Sequence, residues 1–372
     1  MKIGVITWFG TGNFGTDLQS YALCHYLIKQ GHEAKLIPMF LYKEVGIRYT
    51  IRRFLGYYKR LLSMYITATN AKKARHAIVK QYMKEVLPTY SLVTTKRQYQ
   101  NMMDYFDCFV TGSDQIWNPY HLSKFNLLDF NKSKPSFAYA SSIGVNEIPS
   151  EKCNIYKKYL SKFQAIGVRE QTGAIALKKA TGRNDIVTVL DPTFLLRSSD
   201  WIKFSELDTK FSLPCADYML VYTIGSRKEY PQFIEKIRKH YKIDKVIIVS
   251  SVESRIHYTI ADYVLDNVSP MAFIKLLYNA KLICTDSFHA TALSINMNKN
   301  FIELLRFDEN DTKSQNSRIK NILNHYELNE RLYQDNLPLT QKIEIDYSKA
   351  NNILEKDRVF SYNFIQSFNR LI

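Results

Sequence analysis

The stretch Lys281-Leu-Ile-Cys-Thr-Asp-Ser-Phe-His-Ala-Thr-Ala-Leu-Ser-Ile-Asn296 predicts a buried strand that leads directly into a helix. Lys281 to Cys284 is short and apolar, as buried strands are, and Thr285 to Ser287 carry oxygens that suit a helix N-cap. His289 would then lie in the first helical turn, where backbone N–H groups and the helix dipole favour an anion. A histidine there can bind an anion or move a proton near neutral pH. The alternative is that His289 only packs or caps.

Strands alternate with helices on both sides of this stretch. The apolar runs predict strands at residues 2–8, 34–39, 108–111, 136–140, 165–168, 186–190, 218–224, 245–250, 281–284 and 300–304. Helical patterns cover residues 17–30, 170–179, 230–240, 270–279, 287–296, 315–325 and 348–369. Such alternation is typical of parallel sheets covered by helices. We therefore predict an α/β protein with two Rossmann-like domains whose parallel sheets face a cleft.

The boundary between the two predicted sheets lies near residues 191–215. Asp191-Pro192 ends the first alternation, and residues 200–215 are expected to form a connecting stretch. A chain of 372 residues has ample length for two domains. We predict a first domain at 1–200, a second at 215–335, and a C-terminal helical segment at 340–372 that packs back on the first.

The composition excludes several classes of protein. The five cysteines are scattered without a Cys-x-x-Cys pair, which is typical of a reducing cytoplasm and not of a disulfide framework or zinc site. The eight histidines form no metal-binding motif, so the sequence predicts neither a metal nor a cofactor. Apolar runs stay shorter than the ~18 residues that span a bilayer. Gly10 and Gly12 interrupt the first apolar run too early for a signal peptide. The predicted location is the cytoplasm.

Much of the net charge of +16 lies in residues 43–84, which carry eleven Lys or Arg and one acid. Apolar residues recur there at helical spacing, and the basic residues Arg52, Arg53, Lys59 and Arg60 lie off that stripe. One interpretation is a helix that packs on the first domain with a solvated basic face. The other is peripheral contact with an anionic membrane at its inner face. Nucleic acid is not a predicted partner, because no nucleic-acid-binding motif accompanies the charge.

Gly10-Thr-Gly-Asn-Phe-Gly15 matches the dinucleotide pattern G-x-G-x-x-G between a strand and a helix. Two features oppose that interpretation. Asp17 would repel a pyrophosphate at the helix start, and no acidic residue ends the second strand. We predict instead a tight turn whose polar residues Asn13, Asp17 and Gln19 bind a sugar. The alternative is that Asn13 and Asp17 only cap the helix.

A second polar turn, Gly112-Ser-Asp-Gln-Ile-Trp-Asn-Pro119, follows another predicted strand. Ser113, Asp114 and Gln115 offer closely spaced donors and acceptors, and Trp117 offers a flat face, a mixture that suits carbohydrate. Asp114 is also a candidate base for an attacking hydroxyl. The alternative is a polar turn with Trp117 in the core.

Arg169 also follows a predicted strand directly. Arginine binds carboxylate or phosphate through two parallel hydrogen bonds, which makes Arg169 a candidate anion ligand. The alternative is an ordinary ion pair with an acid. Because all these motifs come after parallel strands, they should gather where the carboxyl ends of the strands meet. We therefore treat them as one site.

These motifs together resemble the polysaccharide pyruvyl transferase family. The segments that carry the resemblance follow the family's order over roughly residues 1–330: Asn13–Leu23, Gly112–Pro119, Ala138–Gly144, Val168–Glu170, Asp191–Leu196 and Thr285–His289. The resemblance implies two Rossmann-like domains in a GT-B-like arrangement. It also implies transfer of pyruvate from phosphoenolpyruvate to a sugar as a ketal, during synthesis of a surface polysaccharide such as a bacterial capsule or exopolysaccharide. The sugar acceptor would be lipid-linked or nucleotide-linked.

The resemblance further implies that His289 is catalytic and that Arg169 binds the donor. Some branches of the family carry Arg-Leu-His where this chain has Ser287-Phe288-His289, so one phosphate-binding arginine is missing at Ser287. Arg318 is the expected replacement, with Arg306 as a second candidate, and Ser287 is expected to contact the donor. Two other functions remain open: a GT-B glycosyltransferase that uses a nucleotide sugar, and a non-catalytic polysaccharide- or membrane-associated protein of the same fold.

Overall fold

The computed structural model describes residues 1–39, 55–56, 70–251, 258–308, 316–335 and 337–371. Most of the basic stretch predicted at 43–84, including Arg52, Arg53, Lys59 and Arg60, lies outside the described residues. The end of that stretch is seen within the helix Asn70–Glu85.

The first of two compact units comprises Met1–Thr11, Gln19–Pro192 and Phe360–Ile372. Its sheet has the order β2-β1-β3-β4-β5-β6, and all its strand pairs are parallel. The strands are β1 (Lys2–Ile6), β2 (Glu33–Leu36), β3 (Cys108–Thr111), β4 (Ser136–Ser141), β5 (Ala165–Val168) and β6 (Val187–Thr188). The helices between them are α1 (Phe14–Lys29), α2 (Asn70–Glu85), α3 (Lys96–Tyr105), α4 (Ser150–Leu160) and α5 (Gln171–Thr181).

The second unit comprises Gly12–Leu18 and Thr193–Val359, so it includes the first turn of α1. Its sheet is also parallel and has the order β11-β10-β7-β8-β9. The strands are β7 (Tyr218–Tyr222), β8 (Lys245–Val249), β9 (Tyr263–Leu265), β10 (Leu282–Thr285) and β11 (Phe301–Glu303). The helices are α6 (Ser198–Ser205), α7 (Tyr230–His240), α8 (Pro270–Asn279), α9 (Phe288–Asn296), α10 (Asn316–His325) and α11 (Ser348–Ser367).

The central strands are buried along their whole length, as is typical of parallel sheets with both faces covered. Cys108–Thr111 in the first sheet and Tyr218–Tyr222 in the second are buried at every position. A strand of this kind lacks the apolar–polar alternation of a half-exposed strand, and it appears in the sequence as a short apolar run. The predicted α/β class with two parallel sheets is confirmed.

The predicted connecting stretch at residues 200–215 begins within the helix α6, which the sequence did not predict. The Asp200 side chain accepts a hydrogen bond from the Arg197 backbone amide at 3.0 Å and so caps the helix. Trp201 lies in the core and its indole N–H donates to the Thr193 carbonyl at 3.0 Å. Eight residues are too few to show a helical period in the sequence, so packing of Trp201 decides the local structure.

Helix α11 begins in the second unit, and its residues from Phe360 onward belong to the first. Within the first unit, Ser361 Oγ accepts a hydrogen bond from the Leu190 amide at 3.0 Å. Phe368, just after the helix, stacks on Phe137 of β4 with ring centroids 4.3 Å apart. Within the described part of the chain, no helix combines the length and apolar character that crossing a membrane requires.

Candidate active site

The strand order of each sheet reverses at one position. In the first sheet β2 and β3 lie on opposite sides of β1, so the reversal falls between β1 and β3. In the second sheet β8 and β10 lie on opposite sides of β7, and the reversal falls between β7 and β10. Ligands of open parallel sheets bind beyond the carboxyl ends of the strands at such switch points. Each unit therefore has one position where its fold favours a ligand.

Gln19 joins the two strands at the switch point of the first sheet. Its amide nitrogen donates to Thr7 Oγ1 at 3.0 Å, beyond the end of β1, and its oxygen accepts from the Ser113 amide at 3.3 Å, beyond the end of β3. The Gln19 and Ser113 side chains are fully buried. Both residues thus shape this position, and their predicted contact with the sugar acceptor stays a prediction.

The turn after β3 has an unusual backbone. The Gly112–Ser113 peptide bond is cis, and Gly112 has a φ of 134°, where a Cβ atom would lie 1.8 Å from the Tyr139 carbonyl oxygen. Asp114 has a φ of 61°, in the left-handed region that non-glycine residues seldom adopt. Its carboxylate accepts from the Gln115 amide at 2.8 Å. Residues held in this region cluster at functional sites, which supports the prediction for Asp114 without testing it.

Trp117 does not offer the flat face that the sequence suggested. Its side chain is fully buried, the indole N–H donates to the Asn126 carbonyl at 3.0 Å, and the ring packs edge-on against Phe163. Here the alternative interpretation, a polar turn with the tryptophan in the core, is the one observed. Gln115 stays near the surface of the turn, where Asn118 donates to its side-chain oxygen at 3.0 Å.

Arg169 forms the centre of a buried ionic network that we call the Arg169 cluster: Ser113, Ser142, Arg169, Glu170 and Asp191. The guanidinium donates to Glu170 Oε1 at 2.9 Å and to Asp191 Oδ2 at 3.0 Å. The Ser142 hydroxyl donates to Glu170 at 2.8 Å, and the Ser113 hydroxyl to Asp191 at 3.4 Å. All of these residues follow the carboxyl ends of strands in the first sheet.

The Arg169 cluster holds one cation and two carboxylates. The Arg169 side chain is 2% exposed and lies between two carboxylates. Burial by itself would lower the pKa of Arg169, but Glu170, Asp191 and then Asp114 outweigh it and raise the pKa. The ion pair that the sequence left open as an alternative is therefore present. A donor-binding role for Arg169 stays a prediction, and a donor would have to compete with these two acids.

In the second unit, the turn between β10 and α9 is built as the sequence predicts. Ser287 is the N-cap of α9, and its hydroxyl accepts from the Ala290 amide at 3.5 Å. Thr285 Oγ1 accepts from the Ser287 amide at 3.1 Å and donates to the Tyr222 carbonyl at 2.5 Å. His289 follows in the first turn and is buried. The predicted N-cap is confirmed, while donor contact by Ser287 stays a prediction.

Asp286 occupies the switch point of the second sheet. Its two carboxylate oxygens accept from the amides of Ile224 at 2.6 Å and Gly225 at 2.7 Å, just beyond β7, and from the Tyr230 hydroxyl at 2.8 Å. Burial, and then the charge of Asp286, raise the pKa of Tyr230. Because Asp286 also precedes the N-cap of α9, it links the end of β7 to the start of that helix. Sequence reasoning treated Asp286 only as a capping oxygen.

Arg306 follows β11 and reaches the same turn. Its Nη2 donates to the Asp286 carbonyl at 3.3 Å, its Nε lies 3.8 Å from Asp286 Oδ2, and its side chain is 22% exposed. The Asn316 side chain bonds both backbone groups of Phe307, at 3.2 and 2.7 Å, and so ties the start of α10 to this segment. Arg318 lies in the first turn of α10 and is half-buried. We call Asp286, Ser287, His289 and Arg306, together with Gly15, the His289 cluster.

Gly15 belongs to this cluster because the first turn of α1 lies against His289. A Cβ atom on Gly15 would be 2.2 Å from His289 Nδ1. The Asn13 side chain accepts from the Gly15 amide at 3.0 Å, and Asp17 accepts from the Gly12 amide at 3.2 Å. The second unit thus brings the segment of Asn13 and Asp17 next to His289. Both residues take part in the helix capping left open above, and their acceptor contacts stay predictions.

Glu303 is a buried acid that sequence reasoning did not single out. It ends β11, has no exposed surface, and accepts a hydrogen bond from the Thr291 hydroxyl of α9. Its Oε1 has no hydrogen-bond partner among the described residues, and burial raises its pKa well above the usual value. An acid inside a predicted apolar strand was the available signal. Among the described residues, no group of three or more His, Cys, Asp or Glu is placed to hold a metal ion.

The fold and its two clusters define a Rossmann-like α/β protein with polar sites beyond the carboxyl ends of parallel strands. A model of the polysaccharide pyruvyl transferase family matches residues 13–306. Because this match covers most of the 372 residues, the chain belongs to that family of transferases. The resemblance carried by the sequence motifs is confirmed.

Several solved structures are similar to this chain. One is the UDP-GlcNAc 2-epimerase of Methanocaldococcus jannaschii in complex with UDP-GlcNAc and UDP, with 14% identity, a TM-score of 0.48 and coverage of 97% of this chain and 100% of that chain. The UDP-GlcNAc 2-epimerase of Neisseria meningitidis bound to UDP-GlcNAc has 11% identity, a TM-score of 0.45 and coverage of 98% and 92%. E. coli ADP-heptose LPS heptosyltransferase II has 10% identity, a TM-score of 0.40 and coverage of 99% of each chain. No curated protein sequence matches the chain.

Proposed function

We propose that this protein transfers pyruvate from phosphoenolpyruvate to a sugar as a ketal, in the synthesis of a surface polysaccharide. The observation that carries the proposal is the His289 cluster, in which a partly exposed arginine reaches the turn that precedes the helix of His289. Phosphoenolpyruvate is small and strongly anionic. A helix start and a guanidinium are the groups that favour such a ligand, and membership of the family supports this choice of donor.

Ketal formation requires four events at the donor. The methylene carbon gains a proton, and a sugar hydroxyl attacks the adjacent carbon and loses its own proton. The carbon–oxygen bond to phosphate breaks, and phosphate leaves with the electron pair. A second hydroxyl of the same sugar then attacks and closes the ring. The two hydroxyl protons balance the proton gained by carbon and the proton taken up by phosphate.

We assign His289 as the general acid that protonates the methylene carbon, since a positioned imidazole can transfer a proton near neutral pH. Phosphate and carboxylate of the donor would be bound by cationic groups, by helix α9 and by its cap: Ser287, Arg306, Arg318 and Arg169. Arg306 has the most direct structural support, because it is tied to the α9 turn and remains partly exposed. Such cations also stabilise the charge that develops on the leaving phosphate.

We assign Asp114 as the base that accepts the proton of the attacking hydroxyl. Its left-handed backbone and its place after β3 support this role. The remaining acceptor contacts are proposed for polar residues around the start of α1 and in the turn after β3: Asn13, Asp17, Gln19, Ser113 and Gln115. Their amide, hydroxyl and carboxylate groups match the donor and acceptor character of sugar hydroxyls.

The acceptor is proposed to be lipid-linked or nucleotide-linked, and the first case requires contact with the cytoplasmic face of a membrane. The basic residues Arg52, Arg53, Lys59 and Arg60, which lie outside the described residues, would supply that contact at about 1 kcal/mol each or less. Vesicles with anionic lipid should bind the protein at low salt and release it as salt rises. Equal binding to neutral and anionic vesicles, or no loss when all four residues become Gln, would exclude this role.

The direct test is incubation with phosphoenolpyruvate and a panel of lipid-linked and nucleotide-linked sugars. Release of inorganic phosphate together with a gain of mass on the sugar would support the proposal. Release of a nucleotide from a nucleotide sugar, without use of phosphoenolpyruvate, would identify a glycosyltransferase instead. A cellular role that survives His289→Ala would indicate a non-catalytic protein.

A further inference from the structure

The backbone of α1 contacts the imidazole of His289 with no side chain between them. A Cβ atom on Gly15 would lie 2.2 Å from Nδ1, 2.6 Å from Cγ and 2.9 Å from Cβ of His289. Contacts below 3.0 Å force something to move. Rotation of the ring about its side-chain bonds cannot remove the last contact, because the Cβ atom of His289 does not move with those bonds.

The backbone of α1 gives no reason for glycine at this position. Gly10 and Gly12, in the same turn, have φ values of 65° and 79°, where glycine is favoured. Gly15 is not among the glycines with positive φ, and it is the second residue of α1. Alanine would favour the helix there. The close approach of His289 is therefore the physical reason for Gly15. The match to G-x-G-x-x-G thus has two separate causes, which are positive φ at Gly10 and Gly12 and lack of space for a Cβ atom at Gly15.

Phe14 holds this turn in place within the second unit. Its ring stacks on Phe273 of α8 with centroids 4.4 Å apart and an angle of 5°, and it meets Tyr222 of β7 edge-on at 5.5 Å. Phe273 and Tyr222 also contact each other, at 4.9 Å. Three mutually packed rings therefore anchor the first turn of α1 on α8 and on β7, the strand at the switch point of the second sheet. Gly15 directly follows Phe14 in the chain.

We propose that Gly15 is a positioning residue for His289. The anchored first turn of α1 forms a rigid wall against one side of the imidazole and so selects the ring orientation used for proton transfer. The catalytic consequence rests on the general-acid role proposed for His289, whereas the wall itself does not. Displacing a catalytic group by about 1 Å costs roughly 10²-fold in rate, so an added methyl group at Gly15 should lower kcat by about that factor.

The test compares Gly15→Ala with Gly173→Ala. Gly173 is also in the first turn of a helix, α5, but a Cβ atom there would meet nothing closer than Ile143 Cγ1 at 3.5 Å. In protein labelled with ¹⁵N in its eight histidines, the imidazole signal of His289 is assigned by its loss in His289→Gln. We expect Gly15→Ala to shift this signal and Gly173→Ala to leave it unchanged. An unshifted signal in folded Gly15→Ala overturns the proposal, whether or not the protein turns over phosphoenolpyruvate.

Steady-state rates give the second readout. Gly15→Ala should lower kcat by about 10²-fold with little change in KM for phosphoenolpyruvate, and it should add no further loss in a His289→Gln background. A shifted signal with unchanged kcat would overturn the positioning role. A shifted signal in a protein that does not transfer pyruvate would support the contact between Gly15 and His289 and contradict the proposed function. If Gly15→Ala does not fold, the double variant with His289→Gly should melt cooperatively, and failure of that variant to fold would contradict the contact.

Discussion

The Arg169 cluster and the His289 cluster lie beyond the carboxyl ends of parallel strands in their own sheets, yet they differ in what their charges contact. Arg169 is almost completely buried and bonded to Glu170 and Asp191. In the His289 cluster, backbone amides and a tyrosine satisfy Asp286, and Arg306 keeps 22% of its side chain exposed. Buried ion pairs are costly to break. The comparison shows that the guanidinium of Arg169 is held by two carboxylates of its own sheet, whereas that of Arg306 remains partly accessible.

The largest effect is expected at His289. His289→Ala should lower the rate of phosphate release from phosphoenolpyruvate by about 10²–10⁴-fold, because a general acid contributes that much. Thermal melting should remain cooperative, since the Ser287 cap and the α9 helix do not depend on the imidazole. His325→Gln is the matched control, a histidine that is more than half exposed and paired with Asp357. A near wild-type rate in folded His289→Ala would show that the histidine is structural.

Arg169→Gln should reduce stability as well as the affinity for phosphoenolpyruvate. Removing the guanidinium leaves Glu170 and Asp191 buried without a cation, and breaking a buried pair costs about 3–5 kcal/mol. The control is Arg197→Gln, which breaks a two-point pair with Glu355 that is exposed and should cost about 1 kcal/mol or less. Denaturant unfolding measures both. Wild-type stability of Arg169→Gln would contradict the comparison of the two clusters, and unchanged affinity for phosphoenolpyruvate would remove Arg169 from the proposed donor site.

Arg306→Gln should weaken binding of phosphoenolpyruvate with little effect on stability. Its contacts with Asp286 are long, one at 3.3 Å and one at 3.8 Å, so the cost in stability should be small. A hydrogen bond to a charged group contributes about 1.5–3 kcal/mol, and KM for phosphoenolpyruvate should therefore rise about 10- to 100-fold. Arg318→Gln tests the second candidate for the arginine absent at Ser287. Unchanged KM in both variants would exclude Arg306 and Arg318 from donor binding.

The fold was predictable because each feature that indicates it lies within a short stretch of the sequence. Buried strands and the helix cap at Ser287 follow from short runs of residue type, and parallel sheets follow from their alternation with helices. The strand β9 has three residues and the helix α6 has eight, which is too short for a period to be recognised. Tertiary packing determines elements of that length.

The partners of the site residues were not predictable, because they come from distant parts of the chain. Arg169 and Asp191 are 22 residues apart, and Gln19 and Ser113 are 94 apart. A motif indicates which chemical groups follow a strand but not which of them neutralise one another. Trp117 illustrates the same limit, since an aromatic residue in a polar turn is equally compatible with a sugar and with the core where it lies.

The smallest effect should appear at Glu303, which accepts a hydrogen bond from Thr291 of α9, the helix that carries His289. Burial raises its pKa well above that of an exposed glutamate, so the folded protein keeps a proton that the unfolded chain releases above its pKa of about 4.3. Stability should therefore fall as pH rises above that value, by roughly 1 kcal/mol per pH unit until Glu303 ionises. Glu303→Gln removes this loss, so its advantage in melting temperature over the wild type should grow from pH 5 to pH 8.

Glu355 provides the control: burial raises its pKa, but Arg197 and Arg358 outweigh burial and lower it. Stability from Glu355 is thus lost as pH falls, and Glu355→Gln should be less stable than the wild type at pH 8. A constant difference between Glu303→Gln and the wild type across this range would show that Glu303 is ionised in the fold. The second unit would then hold a second buried negative charge close to Asp286.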